Sequence, residues 1–416
     1  MYIYINKNIF LTMVEFIPRP HYLEILREFR DKPFIKVITG MRRCGKSTLM
    51  MMFRQEIIES GIPENDVLYI NLGNEFECTI STYRELINHV KSTLGTDGRK
   101  YLFLDEIQNV QEWERAIETF HISGLDIYLT GSNSRMLSSE ISTKLSGRFV
   151  CMDVLPLSFS EYLVFRERYG NEGSLEDKFS EYLHYGGLPA TALMSGMRDD
   201  LISMTISSTY DTVIVKDVME RNNVRNPAVI SNLFRFLMKN IGNRTSVKNA
   251  SKYMVSKGIK VSTDTVDSYI KHIEDAKLIY RARRMDSKTK EYLQTSDKFY
   301  ATDIGMRNVS VGYTDRDLDG ILENLVFMEL MFRFGNASVM SVDGKEIDFV
   351  SFDGKGEPRY FQVSLDILDS ETMKREITPL KDIPDNYPKY IITMDRYPYD
   401  NVDGIKIVNI MDFLVN

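Results

Sequence analysis

Continuous apolar runs alternate with helical patterns through the first 155 residues of the chain. These runs are 34–39, 67–72, 101–105 and 127–130. Each is rich in β-type residues and lacks a regular polar face, which is typical of strands buried on both faces of a parallel sheet. The segments between them that have helical spacing are 49–58, 83–94 and 113–120. The alternation predicts an α/β domain over residues 1–155.

Beyond residue 155 the pattern becomes helical and then mixed again. Capping sequences at Ser158 and Ser174 open two helices of a predicted helical lid, 156–224. Three more helical patterns and two short β-like stretches predict a small domain over 225–302. The last 114 residues, 303–416, carry helix, strand, strand, helix and strand patterns in that order. These patterns lie at 320–334, 346–350, 360–364, 373–380 and 390–393. They predict a second α/β domain.

The clearest chemical motif follows the first apolar run. Residues 40–48, Gly-Met-Arg-Arg-Cys-Gly-Lys-Ser-Thr, contain the pattern G-x-x-x-x-G-K-[ST] between a strand and a helix. The two glycines allow a tight turn whose backbone N–H groups converge on a phosphate at the positive end of the helix. Lys46 is expected to reach the β- and γ-phosphates, and the Ser47 hydroxyl to ligate Mg²⁺. The predicted nucleotide-binding residues are Gly40, Arg42, Arg43, Cys44, Gly45, Lys46, Ser47 and Thr48.

A second motif ends the third apolar run. Residues 102–106, Leu-Phe-Leu-Asp-Glu, bring Asp105 to the carboxyl end of a buried strand. There Asp105 is predicted to hold Mg²⁺, and Glu106 to orient or deprotonate an attacking water. The alternative is an acidic strand end that caps the next helix.

Two further positions have weaker support. The next strand ends before Ser132 and Asn133, either of which is a candidate sensor of the γ-phosphate or of the attacking water, unless they only cap a helix. Arg148 precedes the strand-like run 149–152 and is predicted to supply positive charge to a γ-phosphate. Its alternative role is to complement a helix C-terminus at the surface.

In order and spacing, these four motifs resemble those of the prokaryotic AAA+ ATPases of the P-loop NTPase class, and more narrowly those with a C-terminal domain of unknown function. The resemblance implies ATP and Mg²⁺ as ligands, a sheet order of 5-1-4-3-2 and a possible homo-oligomer. It makes Ser132 or Asn133 the sensor and Arg148 an arginine finger that acts in cis or on a neighbouring subunit. A Gly-Leu-Pro turn places Leu188 and Pro189 as candidate adenine contacts, although a helix end followed by a helix start has the same sequence.

The net charge of the segment after residue 224 differs from that of the whole chain. The whole chain carries −7, but the segment 225–300 has 16 lysine and arginine residues against 7 aspartate and glutamate residues. Three helices and a basic hairpin resemble a winged helix-turn-helix, which implies double-stranded DNA as a partner of 225–302. The alternative is a winged helix used only for packing or for an unidentified protein partner. Neither a membrane-spanning run nor, in the stretch that opens at Met1, a secretion signal is recognisable, which predicts a cytoplasmic protein. Met13 is an alternative start.

The last segment, 303–416, resembles a restriction-endonuclease-like core in the order of its elements. Active members hold Mg²⁺ with a strand aspartate, matched here by Asp348, and with a later Glu-x-Lys. Here those later positions are Gln362, Val363 and Ser364, so phosphodiester cleavage is disfavoured. Glu323, Glu346 and Asp348 remain candidates for a metal site, with surface charge as the alternative. We therefore expect an ATPase that couples nucleotide state to DNA or protein binding. The alternatives are a nucleotide-gated switch with little hydrolysis and, less favoured, a Mg²⁺-dependent nuclease.

Overall fold

A computed structural model describes residues 16–416 except 75–77, 95–98, 132–146, 169–172, 195, 225 and 294–295. The described chain forms two compact units. The first comprises 16–39, 45–131 and 147–152, and the second comprises 40–44 and 153–416. The chain therefore passes from the second unit back to the first at Gly45, within the predicted phosphate loop.

The first unit is an α/β layer structure. Its elements are α1 Pro20–Phe29, β1 Ile35–Thr39, α2 Lys46–Glu59, β2 Val67–Asn71, α3 Tyr83–Leu94, β3 Tyr101–Asp105, α4 Trp113–Ile122, β4 Asp126–Thr130 and β5 Phe149–Asp153. The strand order is β2-β3-β4-β1-β5, which confirms the order 5-1-4-3-2. Neighbours from β2 to β1 pair in parallel, with Asn71 opposite Asp105 and Ile38 opposite Thr130. The parallel register brings the carboxyl ends of β1, β3 and β4 to one edge of the sheet.

The continuous apolar runs are buried as predicted. Every residue of β1, β3 and β4 is buried, because helices cover both faces of a parallel sheet. A buried ion pair between Lys36 and Asp126 lies near the amino ends of β1 and β4, with the Tyr128 hydroxyl donating to Asp126 at 3.0 Å. Burial lowers the pKa of Lys36, although Asp126 opposes the shift.

The second unit begins with helices. They are α5 Phe159–Arg168, α6 Leu175–Tyr185, α7 Pro189–Ala192, α8 Asp199–Thr212, α9 Pro227–Lys239, α10 Val247–Ser256, α11 Thr263–Asp275 and α12 Ile304–Val311. Both predicted capping boxes are confirmed, since Ser158 and Ser174 exchange hydrogen bonds with Glu161 and Asp177. A π-helical stretch, Val213–Glu220, continues α8. None of the helices in the described part of the chain is long and apolar enough to cross a membrane.

The hairpin predicted after α11 is present in part, and its strands also pair with other strands. The short strand β6 Ile279–Ala282 pairs with β8 Lys298–Ala301, whereas β7 Arg284–Asp286 joins a larger sheet beside β9 Ser338–Val342. The predicted pairing is retained at the Met285–Tyr292 bridge and by two flanking backbone hydrogen bonds, from Asp286 N–H to the Glu291 carbonyl at 2.9 Å and from Leu293 N–H to the Arg284 carbonyl at 2.8 Å. The reason that β7 joins the larger sheet is packing, since Met285 is buried in the apolar core of that sheet.

That larger sheet forms the C-terminal part of the second unit. Its other elements are α13 Leu318–Phe334, β10 Lys345–Phe352, β11 Pro358–Ser364, α14 Ser370–Lys381, β12 Lys389–Thr393, β13 Asn401–Val402, β14 Ile405–Asn409 and α15 Ile410–Val415. The strand order is β13-β14-β12-β11-β10-β9-β7. Antiparallel pairing joins β9, β10 and β11, and parallel pairing joins β11, β12 and β14. The predicted second α/β fold is present.

Candidate nucleotide-binding site

The loop between β1 and α2 has backbone torsions that require glycine. Gly40 has φ 140° and Gly45 has φ 99°, and Arg43 between them is also left-handed at φ 68°. A Cβ at Gly40 would lie 2.2 Å from the carbonyl oxygen of Val154. Any side chain at Gly40 would therefore displace the backbone.

The loop leads directly into a helix N-terminus that is suited to an anion. Helix α2 begins at Lys46, with Gly45 as its N-cap, and its first turn contains no acidic residue. Lys46 is 5% exposed, and Ser47 and Thr48 are half-buried. The N–H groups of this first turn lack partners within the helix, and the helix dipole makes the end positive. The geometry matches a phosphate-binding loop.

Asp105 lies at the carboxyl end of β3 and is almost fully buried. Its carboxylate accepts hydrogen bonds from the Thr130 hydroxyl, from the Tyr69 hydroxyl at 3.0 Å and from the Ser47 side chain. Burial raises the pKa of Asp105, and the nearby charge of Glu106 acts in the same direction while the hydroxyl donors oppose it. The carboxylate thus shares an oxygen cluster with Ser47.

Glu106 adopts a left-handed backbone conformation, with φ 55°. Its N–H donates to the Thr130 hydroxyl oxygen at 3.0 Å, and its carboxylate accepts a hydrogen bond from the Gln108 amide. Thr130 therefore fixes Asp105 and Glu106 together. The sequence motifs missed Thr130 and Tyr69. The signal that could have found Thr130 is its place at the end of the strand next to β3.

Arg148 lies at the amino end of β1, whereas Asp105 lies at the carboxyl end of β3. Arg148 is exposed, and its carbonyl accepts a hydrogen bond of 2.8 Å from the N–H of Ile35, the first residue of β1. The phosphate loop follows the last residue of the same strand, about 16 Å away at ~3.3 Å per residue. Burial, followed by the charges of Arg148 and Lys36, lowers the pKa of His121. Arg148 therefore lies close to His121 and Lys36, away from the phosphate loop.

The remaining predicted site residues are distributed as follows. Ser132 and Asn133 lie outside the described residues. Leu188 is the N-cap of α7 and is 2% exposed, and Pro189 is the first residue of α7. The turn before them is held by Asp303, whose Oδ2 accepts from the N–H of Gly187 at 2.8 Å. Burial raises the pKa of Asp303 to about 6.

The side chains of the loop residues point in different directions. Cys44 is fully buried, and Arg42 and Arg43 form hydrogen bonds with the helix that contains α8 and the π-helical stretch. The guanidinium groups of the predicted site are thus held by protein partners.

The acidic cluster of the C-terminal sheet is not surface charge, so that expectation is wrong. Lys298 on β8 is 4% exposed, and its Nζ lies 2.7 Å from Glu323, 2.9 Å from Glu346 and 3.4 Å from Asp348. Burial is the largest influence on the pKa of Lys298, but the three carboxylates outweigh it and raise that pKa. An ammonium thus lies where the three carboxylates converge. Among the described residues, no group of histidine, cysteine and carboxylate side chains has the arrangement of a metal site.

Both polar atoms of the Gln362 side-chain amide form hydrogen bonds within the protein. Its oxygen accepts from the N–H of Asp348 at 3.3 Å, and its nitrogen donates to Glu376 at 2.9 Å. The second carboxylate oxygen of Asp348 accepts from the N–H of Val363 at 2.9 Å. Hydrogen bonds within the protein therefore engage Asp348 and Gln362, two of the positions that the sequence pattern compared with a nuclease metal site.

Comparison with known proteins agrees with the fold of the first unit. A family model described as an AAA domain matches residues 32–163, and one described as a domain of unknown function (DUF8612) matches 176–317. A solved structure, the Walker-type ATPase of Pyrococcus abyssi, has a TM-score of 0.50 and 15% identity, covering 70% of this chain and 95% of that chain. At that identity the similarity shows the fold alone.

Two curated relatives match nearly the whole chain. An uncharacterized protein of Haemophilus influenzae is 33% identical over 403 residues, which cover 96% of this chain and 98% of that protein. An uncharacterized protein of Methanocaldococcus jannaschii is 32% identical over 399 residues, which cover 91% of this chain and 87% of that protein. The chain therefore belongs, with these relatives, to the AAA+ ATPases of the P-loop class that carry a C-terminal domain of unknown function.

Proposed function

We propose that the protein binds and hydrolyses ATP with Mg²⁺, and that it couples its nucleotide state to double-stranded DNA or a protein partner through its C-terminal half. The observation that carries the proposal is the hydroxyl and carboxylate group formed by Ser47, Asp105 and Thr130, with Glu106 next in the chain. Lys46 at the start of α2 would bind the β- and γ-phosphates.

The donor set around Asp105 fits a hard cation. Ser47 and Asp105 offer a hydroxyl and a buried carboxylate in hydrogen-bond contact, and Mg²⁺ prefers such oxygen ligands. When bound, Mg²⁺ would neutralise charge on the β- and γ-phosphate oxygens. Glu106 is anchored through its N–H to Thr130, so its carboxylate can be held in one place to orient the attacking water.

Arg148 is proposed to act on the nucleotide of a second copy. Its position at the amino end of β1 separates it from the loop of its own chain by the length of the strand. An isolated copy would therefore lack this positive charge and hydrolyse ATP slowly. The same observation favours the second candidate function, a nucleotide-gated switch, for the monomer. Turnover per molecule that rises with protein concentration would support the assembled ATPase.

A nucleic-acid contact is proposed for α9–α11, in a winged-helix arrangement completed by β6 and β8. The exposed lysines of this segment are Lys239, Lys248, Lys252, Lys257, Lys260 and Lys271. Three basic residues of the predicted wing, Arg281, Arg284 and Lys288, are engaged within the protein instead. Arg281 forms a two-bond pair with Glu274, and Lys288 pairs with Asp343. Phosphate contacts are therefore expected mainly from α10 and the turn that leads to α11.

Nuclease activity is not part of the proposal. Lys298 already supplies the positive charge at the centre of Glu323, Glu346 and Asp348. A divalent cation would have to displace a buried ammonium to bind there. The C-terminal sheet is better suited to a scaffold role.

The experiment that tests the proposal compares two glutamates near the end of β3. Glu106→Gln should retain ATP binding but lose at least about a hundredfold in phosphate release, as expected when a water-orienting group is removed. Glu112→Gln is the matched control, because Glu112 is also left-handed but exposed and outside the oxygen cluster. Phosphate release that is equal in both variants would overturn the assignment of Glu106.

A further inference from the structure

We infer that Asp217 is a positioning residue of the nucleotide site, which holds the first half of the phosphate loop through Arg42. This inference rests on the proposed binding of ATP at that loop. It names a residue that lies 175 positions away from Arg42 in the sequence. Both residues belong to the second compact unit.

The contact between the two residues has the geometry of a strong, directional pair. Arg42 Nε donates to Asp217 Oδ2 at 2.7 Å, and Arg42 Nη2 donates to Asp217 Oδ1 at 3.0 Å. Two parallel N–H···O bonds fix the orientation of the guanidinium as well as its distance. The Asp217 side chain is 1% exposed, so water competes little for these bonds. The loop side chain is therefore restrained in one orientation.

Asp217 is itself fixed from the other side. Arg221, one turn later, places Nη2 at 2.9 Å from Asp217 Oδ1. Asp217 lies in the π-helical stretch Val213–Glu220, and π-helical turns are rare and concentrated at functional sites. With a guanidinium on each side, the buried carboxylate has compensated charge and a defined position.

The next loop residue is held by the same helix. Arg43 Nη1 donates to the Thr209 hydroxyl at 2.9 Å, and Thr209 is 1% exposed. Arg43 is the residue that carries the left-handed φ of 68°. Two successive loop side chains are thus attached to one continuous helix, at positions 209 and 217. This double attachment restrains the backbone of 40–44, whose N–H groups are expected to face phosphate.

Restraint of this kind acts on nucleotide affinity. A loop that is free must lose backbone entropy when it is ordered, and preorganisation removes that cost before the ligand arrives. Loss of the tether should therefore weaken ATP binding more than it slows the chemical step at saturating ATP. The helix also packs on α9 and α11, and Tyr210 contacts Phe234 with ring centroids 5.1 Å apart. It thus connects the loop with the basic segment.

The test measures the dissociation constant of a fluorescent ATP analogue together with kcat and KM. Asp217→Asn keeps the shape of the side chain but removes its charge. It should weaken analogue binding about tenfold or more and raise KM similarly, with kcat within about twofold at saturating ATP. Glu274→Gln is the matched control, because Glu274 forms the same two-bond pair with Arg281 at 3.1 and 2.9 Å without touching the loop. Glu274→Gln should leave the dissociation constant and KM unchanged.

A double-mutant cycle separates positioning from general stability. If Asp217 acts through Arg42, the double variant with Arg42→Gln should bind the analogue no more weakly than the weaker single variant. Hydrogen exchange of residues 40–44 without nucleotide should accelerate in Asp217→Asn and not in Glu274→Gln. Should Asp217→Asn fail to fold, Arg42→Gln alone still provides the test, since it leaves Asp217 paired with Arg221.

The outcomes are distinguishable. Wild-type protein that binds ATP, with unchanged affinity in both Asp217→Asn and Arg42→Gln, would overturn this inference and leave the proposed function standing. Additive losses in the double variant would also overturn it. Wild-type protein that does not bind the analogue would overturn the proposed function and the inference with it.

Discussion

Replacement of Lys298 by methionine should destabilise the C-terminal sheet in a strongly pH-dependent way. Lys298 is 4% exposed, and its ammonium lies within 3.4 Å of three carboxylate oxygens. Removal of one partner from a buried ionic group typically costs about 3–5 kcal/mol, because the remaining charges stay buried without compensation. We expect a loss of this size at pH 8.

The sign of the pH dependence follows from Glu323. Burial, and then the charge of Asp348, raise its pKa from 4.5 to about 7, while Lys298 opposes the rise. The stability that this raised pKa contributes is complete below pH 4.5 and is lost as pH rises through about 7. Without Lys298 the pKa of Glu323 should rise further. Each unit of that rise corresponds to about 1.4 kcal/mol of lost interaction with the charged form. At pH 5 this carboxyl is neutral in both proteins, so the variant should lose less stability than at pH 8.

The assay has to report on the second unit. The single tryptophan, Trp113, belongs to the first unit, so its fluorescence is unsuitable. Hydrogen exchange of peptides from β10 and β11, corrected for intrinsic rates, gives local opening free energies. Lys288→Met is the control, because Lys288 and Asp343 form an exposed pair that should contribute nothing measurable. Equal losses at pH 5 and pH 8, or no loss at pH 8, would refute the reasoning.

Three further predictions concern the nucleotide site and the basic segment. Thr130→Val removes the hydroxyl shared by Asp105 and Glu106 and should lower ATP turnover about tenfold to a hundredfold, whereas Thr130→Ser should preserve it; equal turnover in the two variants would contradict this role. Arg148→Ala should lose turnover but bind ATP, and mixing it with Glu106→Gln protein should partly restore phosphate release; no restoration at any ratio argues against action between copies. Lys252→Ala should weaken binding of double-stranded DNA for all sequences and reduce the salt slope by about 1, and a change confined to one DNA sequence would exclude a simple phosphate contact.

Local signals in the sequence predicted the first unit well. Buried parallel strands need unbroken apolar runs, and a phosphate loop needs glycine at fixed positions, so both features are visible in a few neighbouring residues. The predicted helix 83–94 coincides with α3, and the predicted strand 101–105 with β3. The α/β class of the first unit followed from these signals, whereas its strand order was implied by the family resemblance. The placement of Asp105 beside Ser47 followed from the parallel register.

Contacts between distant residues could not be predicted in this way. Asp217 appears in the sequence as one acidic residue of an amphipathic segment, and only the folded chain brings it to Arg42. Lys298 counted toward a basic, DNA-binding surface, yet it is buried among carboxylates from α13 and β10. The position of Met285 in the core of the larger sheet decided the pairing of β7. Charge counts describe a segment, whereas partners and burial depend on tertiary packing.

The central claim is that the loop at 40–48 is the catalytic centre of an ATPase. The most direct test is steady-state phosphate release by purified wild-type protein and by Lys46→Ala at saturating ATP and Mg²⁺. Because Lys46 is the cation at the start of α2 that would bind the β- and γ-phosphates, the variant should release no phosphate above background. Turnover by Lys46→Ala that equals that of the wild type would contradict the claim.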